Sequence, residues 1–323
     1  MAIVYSAEEV YKRADLVCRI GAIPDAEVAL LKPGLTVCAF HHLAVVPRER
    51  VQRLMELETT LIGYEVIRDE AGSLPVLLPM SEMAGQMAVH LAAHYLQNEA
   101  GGRGILLGHV PGVAPPTILV LGAGTVGTVA ARQALMNGCH VIVMDADMRK
   151  LRRLDRELAG RVVTAVAGID RLEKYTAVAD VLVGAVLIPG ERSPFLVTEE
   201  MVKAMKSGSV ILDLSIDQGG CVETSRPTNL GDPVYVQHGV LHYCVPNMTA
   251  NIARTASRAL AHAILPYLSD LATRSPEAAI AGNPGLAQGA YMVAGRMVNR
   301  RVAESLGVPV SELGDVLAGG KRG

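Results

Sequence analysis

Several stretches of the 323-residue chain combine residue types and spacings that could do chemistry. In VLGAGTVG, Gly122, Gly124 and Gly127 follow an apolar run and open an Ala-rich one. In this G-x-G-x-x-G spacing the first glycine allows a tight turn and the second lets backbone approach a pyrophosphate. The third lets a helix pack closely on the strand, and Thr125 and Val126 complete the turn. The next apolar run ends in Asp145, roughly 20 residues on, where a carboxylate accepts hydrogen bonds from both hydroxyls of an adenosine ribose. A carboxylate there repels a 2′-phosphate, so NAD is expected rather than NADP, with Lys150 a weak counterweight. In CAFHHLAV two adjacent histidines close an apolar run. Side chains alternate in an extended strand, so only one of His41 and His42 is expected to face a given cleft. Farther on, LIPG, IDQGG and PNMTAN each follow an apolar run. They place Leu187, Asp217 and Asn247 at strand exits, the edge where such sheets bind ligands.

The elements that must position these residues are legible as alternating apolar runs and helical patterns. PTILVLG, HVIVMD, RVVTAVA, DVLVGAV, SVILDLS and LHYCV are six candidate strands over residues 116–245, enough for one dinucleotide-binding domain. Before them, AIVY, DLVCRI, LTVCAF and TLIGYEVI alternate with the helical segments SAEE onward and PRERVQRLMELE. A strand beginning at Ala2, with no lead-in, makes this first region look cut into. A helix is expected from Pro79 through MSEMAGQMAVHLAAHYLQNE, and another over TANIARTASRALAHAILPYLSDLATR for about seven turns. The expected fold is α/β with two doubly wound domains. A Rossmann domain over 79–253 is inserted into a split substrate domain made of 1–78 and 254–323.

Composition narrows the partners. Half of the residues are hydrophobic, net charge is −2, Trp is absent and Phe occurs twice. No basic run suggests nucleic acid, and no apolar run approaches the roughly 20 residues that span a membrane. Five scattered cysteines without CxxC spacing read as reduced thiols in a cytoplasm. His90 and His94 have i, i+4 spacing but no third ligand, so no metal is expected. The methionines of MSEMAGQM read as packing, His238 and His242 as structural or surface residues, and nothing marks Cys221 as a nucleophile.

FHHLA, YEVI, LPMSEMAGQMA, GGRGILLGHVPGV, LGAGTVG, GAVLIPG, LVTEEMV, IDQGGCVE and VPNMTAN occur in that order. By these motifs the chain resembles the alanine dehydrogenase family, which shares its fold with part of the nicotinamide nucleotide transhydrogenases. The resemblance implies an NAD-dependent oxidoreductase that interconverts an amino acid and a 2-oxo acid, commonly as a homo-oligomer (a hexamer in the family). It also assigns roles. His42 resembles the histidine that hydrogen-bonds substrate, and Asp217 the acid beside substrate and nicotinamide. Asn247, Met80 and Ser81 resemble residues that line the substrate and cofactor cleft. Two departures accompany it. The family's strand with a carboxylate-binding arginine, ordinarily ahead of the segment with which this chain opens, is not in the sequence. Gly21 stands where the family has a catalytic lysine. Arg19, two residues earlier, is expected on the same face of the strand and could reach a carboxylate in its place. Two other readings stay open: a deaminase or cyclodeaminase that uses NAD transiently, and a non-catalytic NAD-binding homologue that needs a partner chain.

Overall fold

The computed structural model describes residues 3–188 and 192–319. The chain forms two units, one comprising residues up to Pro79 and from Ser257 onward, the other Met80–Ile188 with Arg192–Ala256. The boundary before Ser257 falls inside one continuous helix, Ala253–Thr273.

The first unit opens with the helix Ala7–Arg13, where the Ser6 hydroxyl accepts from the Glu9 N–H at 3.2 Å, the cap that SAEE predicts. Its strands are β1 (Leu16–Gly21), β2 (Thr36–Phe40) and β3 (Thr60–Gly63). Residues 3–5 are not a strand, which corrects the AIVY expectation, and Ala2 lies outside the described residues. The second unit contributes β4 (Thr117–Leu121), β5 (His140–Asp145), β6 (Val163–Val166), β7 (Val181–Gly184), β8 (Val210–Asp213), β9 (Val234–Gln237) and β10 (Val240–Tyr243). The first unit then gains β11 (Ala290–Val293) and β12 (Arg296–Met297).

The second unit's sheet runs β6-β5-β4-β7-β8-β10-β9, parallel apart from β9. This is the doubly wound order, with the switch point between β4 and β7. Alternate residues divide between two cores: Ile118, Val120, Val183 and Leu212 on one face, Leu119, Leu121, Leu182 and Ile211 on the other. Burial on both faces explains why these strands read as unbroken apolar runs. The first unit's sheet runs β1-β2-β3-β11-β12, parallel only among the first three strands. Val17, Val37, Leu61, Met292 and Met297 form its core.

One buried polar group in β10 makes stability depend on pH. His242 is fully buried, its Nδ1 3.0 Å from the Val240 carbonyl and its Nε2 2.8 Å from the Thr224 hydroxyl. A neutral ring with its proton on Nδ1 satisfies both partners. Burial pushes its pKa down to about 4 from 6.5. Below the ordinary value the unfolded chain takes up a proton that the folded chain refuses. Stability is therefore full above about pH 6.5 and falls as pH drops toward 4, by on the order of 3 kcal/mol at the acidic limit. Thermal melts between pH 7 and pH 4 should show this loss, and His242→Gln should shrink the slope. An identical slope in the variant would remove His242 as its source.

Candidate functional site

The second unit holds a turn shaped for a dinucleotide. β4 ends at Leu121, and Gly122 takes φ +104°, where a Cβ would stand 2.4 Å from the Ala185 carbonyl oxygen. Gly124 caps the helix Thr125–Met136 with no side-chain hydrogen bond, and a Cβ on it would meet nothing within 4 Å. The first-turn amides therefore open onto free space beside Gly124, with Thr125 and Val126 half-buried. At Gly127 a Cβ would lie 1.8 Å from the Gly122 carbonyl oxygen, so helix and turn meet through bare backbone. Gly85, in the helix Leu77–Tyr95, approaches in the same way, because its Cβ would stand 2.6 Å from the Val126 carbonyl oxygen.

Asp145 ends β5. Its Oδ2 accepts from the Ala123 N–H and its Oδ1 from the Asp147 N–H, both at 2.8 Å. Each oxygen keeps a lone pair, as ribose hydroxyls require. Lys150 Nζ is 3.7 Å from Oδ2 and so faces the carboxylate. The open backbone at Gly124 and the fixed carboxylate fit the pyrophosphate and ribose of NAD.

The strand exits of this unit carry a second cluster. Asp213, the last residue of β8, is buried and accepts from the amides of Ser215 (3.1 Å), Cys221 (2.9 Å) and Val222 (3.2 Å). Burial pushes its carboxyl above the usual range, while the Cys221 and Val222 amides pull against that shift. The loop so gathered contains a 3-10 turn, Ile216–Gln218, which presents Asp217. Asp217 Oδ1 accepts from the Asn247 N–H at 2.9 Å. Asn247 sits in left-handed backbone at φ +50°, and the Thr249 hydroxyl is 3.1 Å from its Oδ1 and 3.9 Å from Met80 Sδ. Asp217, Asn247 and Met80 thus share one cluster, with Ser81 next to Met80 and almost buried. Leu187 is 40% exposed just past β7, and the Val186 N–H donates to the Ser215 hydroxyl at 3.0 Å. Residues 189–191, which follow Ile188, lie outside the described residues. Asp213 and Thr249 escape a sequence reading. The one signal for Asp213 is a carboxylate closing the otherwise apolar VILD.

In the first unit β2 stops at Phe40, ahead of both histidines. Strand alternation therefore does not govern them, and their separation has another cause. His41 is buried, with Nε2 3.2 Å from the Val37 carbonyl and its ring edge-on to Tyr291. Burial lowers its pKa and favours the neutral ring. His42 takes left-handed backbone at φ +47°, ψ +44°, and starts the turn Leu43–Val45. Its N–H donates to Glu65 Oε1 at 2.6 Å, and its half-buried ring stacks on Phe40 at 6.1 Å. His42 Nδ1 is buried with no hydrogen-bond partner among the described residues. Glu65 also accepts from the Tyr291 hydroxyl at 3.0 Å, and its Oε2 is buried and likewise unpartnered among the described residues. Glu65 and Tyr291 hold His42 in place. Nothing in the YEVI motif alone assigns that task, and Tyr291 lies in a strand that sequence reading missed.

The edge strand β1 overturns one expectation. Cys18 pairs with Cys38, but the next pairing is Gly21 with Phe40, so β1 carries one extra residue. A bulge of this kind reverses side-chain alternation. Gly21 lies on the face of Cys18, Cys38 and Phe40, whereas Arg19 points the other way. Its Nη1 is 2.7 Å from both Glu27 Oε2 and the Tyr11 hydroxyl. The expectation that Arg19 shares a face with Gly21 and substitutes for a lysine there is corrected. Arg19 secures β1 to the helix Ala7–Arg13 and to Glu27.

Two family models match the chain: "Alanine dehydrogenase/PNT, N-terminal domain" over residues 1–84 and "Alanine dehydrogenase/PNT, C-terminal domain" over 88–300. An alanine dehydrogenase of Mycobacterium tuberculosis is 42% identical over 316 residues, covering 98% of this chain and 85% of the relative. One from Halomonas elongata is 42% identical over 304 residues, covering 94% and 82%. A solved L-alanine dehydrogenase superposes with a TM-score of 0.83 at 38% identity, covering 95% of this chain and 84% of that one.

Proposed function

The chain belongs to the alanine dehydrogenase/PNT family, and from that premise we propose that it is an NAD-dependent oxidoreductase interconverting an amino acid and its 2-oxo acid or imine. The observation that carries this is the open glycine turn at Gly122–Gly127 with Asp145 fixed beside it, in a chain that both family models match. The unit Met80–Ile188 with Arg192–Ala256 is the dinucleotide-binding part, and the other unit the substrate part.

NAD, when bound, supplies the acceptor for the substrate's α-hydrogen. The chain's own residues do the rest. Asp145 orients the adenosine ribose, and the amides after Gly124 face the pyrophosphate. Thr125, Val126, Ser81 and Leu187 line the cofactor, and Met80 and Asn247 the substrate. His42, its backbone anchored by Glu65 and its Nδ1 without a partner among the described residues, polarises the substrate heteroatom. Asp217, set by Asp213's loop and the Asn247 amide, takes and returns the proton that moves as ammonia leaves or enters. The enzyme works on a small molecule in the cytoplasm, as a homo-oligomer.

A second reading, an enzyme that oxidises and then re-reduces its substrate, is favoured by Gly21 alone, since the family's cation is lost there. Incubation with NAD and a panel of amino acids, following NADH absorbance and ammonia together, decides between the two. Net NADH matched by ammonia supports the dehydrogenase. Ammonia without NADH supports the second reading, and NAD binding with neither product overturns both.

A further inference from the structure

We propose that Cys18 and Cys38 are a peroxide-responsive thiol pair, Cys18 the attacked sulfur and Cys38 the resolving one, which closes into a disulfide between the first two strands.

The observations are geometric. Cys18 and Cys38 are direct partners in the parallel register of β1 and β2, so their side chains leave the same face. Neighbouring strands place paired Cα atoms about 4.8 Å apart, inside the roughly 4.4–6.8 Å that a disulfide spans. The two thiols are near enough to shift one another's ionisation. Their Cβ atoms must draw closer than a flat ladder holds them, and β1 can yield. It has one strand neighbour among the described residues, and its bulge lies immediately after Cys18. Access is divided as the chemistry needs: Cys18 is exposed and Cys38 fully buried. An oxidant therefore meets Cys18, and Cys38 reacts only with its neighbour. The neighbouring Cys38 thiol, and more weakly the Tyr64 hydroxyl, lower the Cys18 thiol below its ordinary value against the cost of burial. The Tyr64 hydroxyl is buried with no hydrogen-bond partner among the described residues. Cys139, Cys221 and Cys244 are buried, and burial pushes each thiol up, so they serve as internal controls.

The chemistry balances with a hydroperoxide as oxidant. The Cys18 thiolate attacks the peroxide O–O bond, giving a sulfenic acid and releasing hydroxide or alkoxide. The Cys38 sulfur then attacks the Cys18 sulfur. The S–O bond breaks, water leaves with the Cys38 proton, and the S–S bond forms. The link lies beside the Gly21–Phe40 pair, so oxidation would fix the edge strand next to the face on which the His42 ring stacks.

The test uses the full chain. Protein reduced and freed of reductant is treated with one equivalent of hydrogen peroxide, alkylated under denaturing conditions and digested with trypsin. Cleavage after Arg19 separates Cys18, in residues 14–19, from Cys38, in residues 20–48. The expected result is these two peptides joined, at a mass two hydrogens below their sum, and parted by dithiothreitol. Cys139, Cys221 and Cys244 should remain alkylated, with Cys18 reacting about tenfold or more faster than any of them. Cys38→Ser should instead accumulate Cys18 sulfenic acid, trapped by dimedone. The proposal is overturned if Cys18 in the unmutated chain stays fully alkylated, if it proceeds to sulfinic acid unlinked, or if it joins a second molecule.

Discussion

Gly21→Lys is expected to raise kcat/KM for reductive amination of a 2-oxo acid by about two orders of magnitude, the contribution typical of one well-placed group that stabilises developing charge. The structure leaves room for it. A Cβ on Gly21 meets nothing within 4 Å, and Gly21 does not occupy left-handed backbone. The bulge in β1 turns the side chain at 21 toward Phe40, on whose ring His42 stacks. A lysine stem from Gly21 is thereby directed to the side of the proposed catalytic histidine, where its ammonium can polarise a carbonyl. Steady-state kinetics with NADH, ammonium and a series of 2-oxo acids measures the gain. A folded Gly21→Lys protein with unaltered rates would show that this face does not meet the reacting atoms. Arg19→Ala provides the contrast: losing its contacts to Glu27 and Tyr11 should lower Tm and leave kcat alone.

His42→Ala is expected to cut kcat/KM by two to four orders of magnitude, the span general acid–base groups supply, at unchanged NAD affinity. Alanine tolerates the left-handed backbone at 42 poorly, so His42→Asn, whose side chain accepts that conformation, separates chemistry from folding. Both variants should be equally inactive, and the asparagine one should melt close to the parent. The neighbouring histidine gives the opposite signature. His41→Asn removes a ring packed beside Tyr291 and should lower Tm while sparing kcat. Normal turnover in His42→Asn would sink its catalytic assignment.

The parallel strands of the second unit were legible because burial on both faces leaves an apolar run that needs no phase. The glycine turn was legible because Gly122 and Gly127 each answer a steric demand of the fold, while Gly124 leaves the start of its helix open. What escaped depended on phase or on unusual turns. Alternation put Arg19 and Gly21 on one face, and a single extra residue reversed it. β9 and β10 join through His238–Gly239, and β11 and β12 through Ala294–Gly295, with positive φ at all four residues. Such turns are signalled in sequence by Asn-Gly or Asp-Gly, and neither His-Gly nor Ala-Gly announces one. Missing the second hairpin hid Tyr291, and with it half of the anchorage of His42. Asp213 was hidden differently. Its worth lies in three amides that come together only when the loop closes.

Asp145 bears on how the cofactor preference of this fold could be redesigned. Exchanging the acid for a small or basic residue is the obvious route to accepting a 2′-phosphate. Here the same carboxylate ties the Ala123 amide of the glycine turn to the Asp147 amide at the next helix start. On the ribose-binding role proposed for Asp145, selectivity and scaffold are vested in one side chain. A successful redesign would have to supply new acceptors for both amides before it supplied a cation, and Asp145→Ser or Asp145→Ala alone would loosen the turn it was meant to retune.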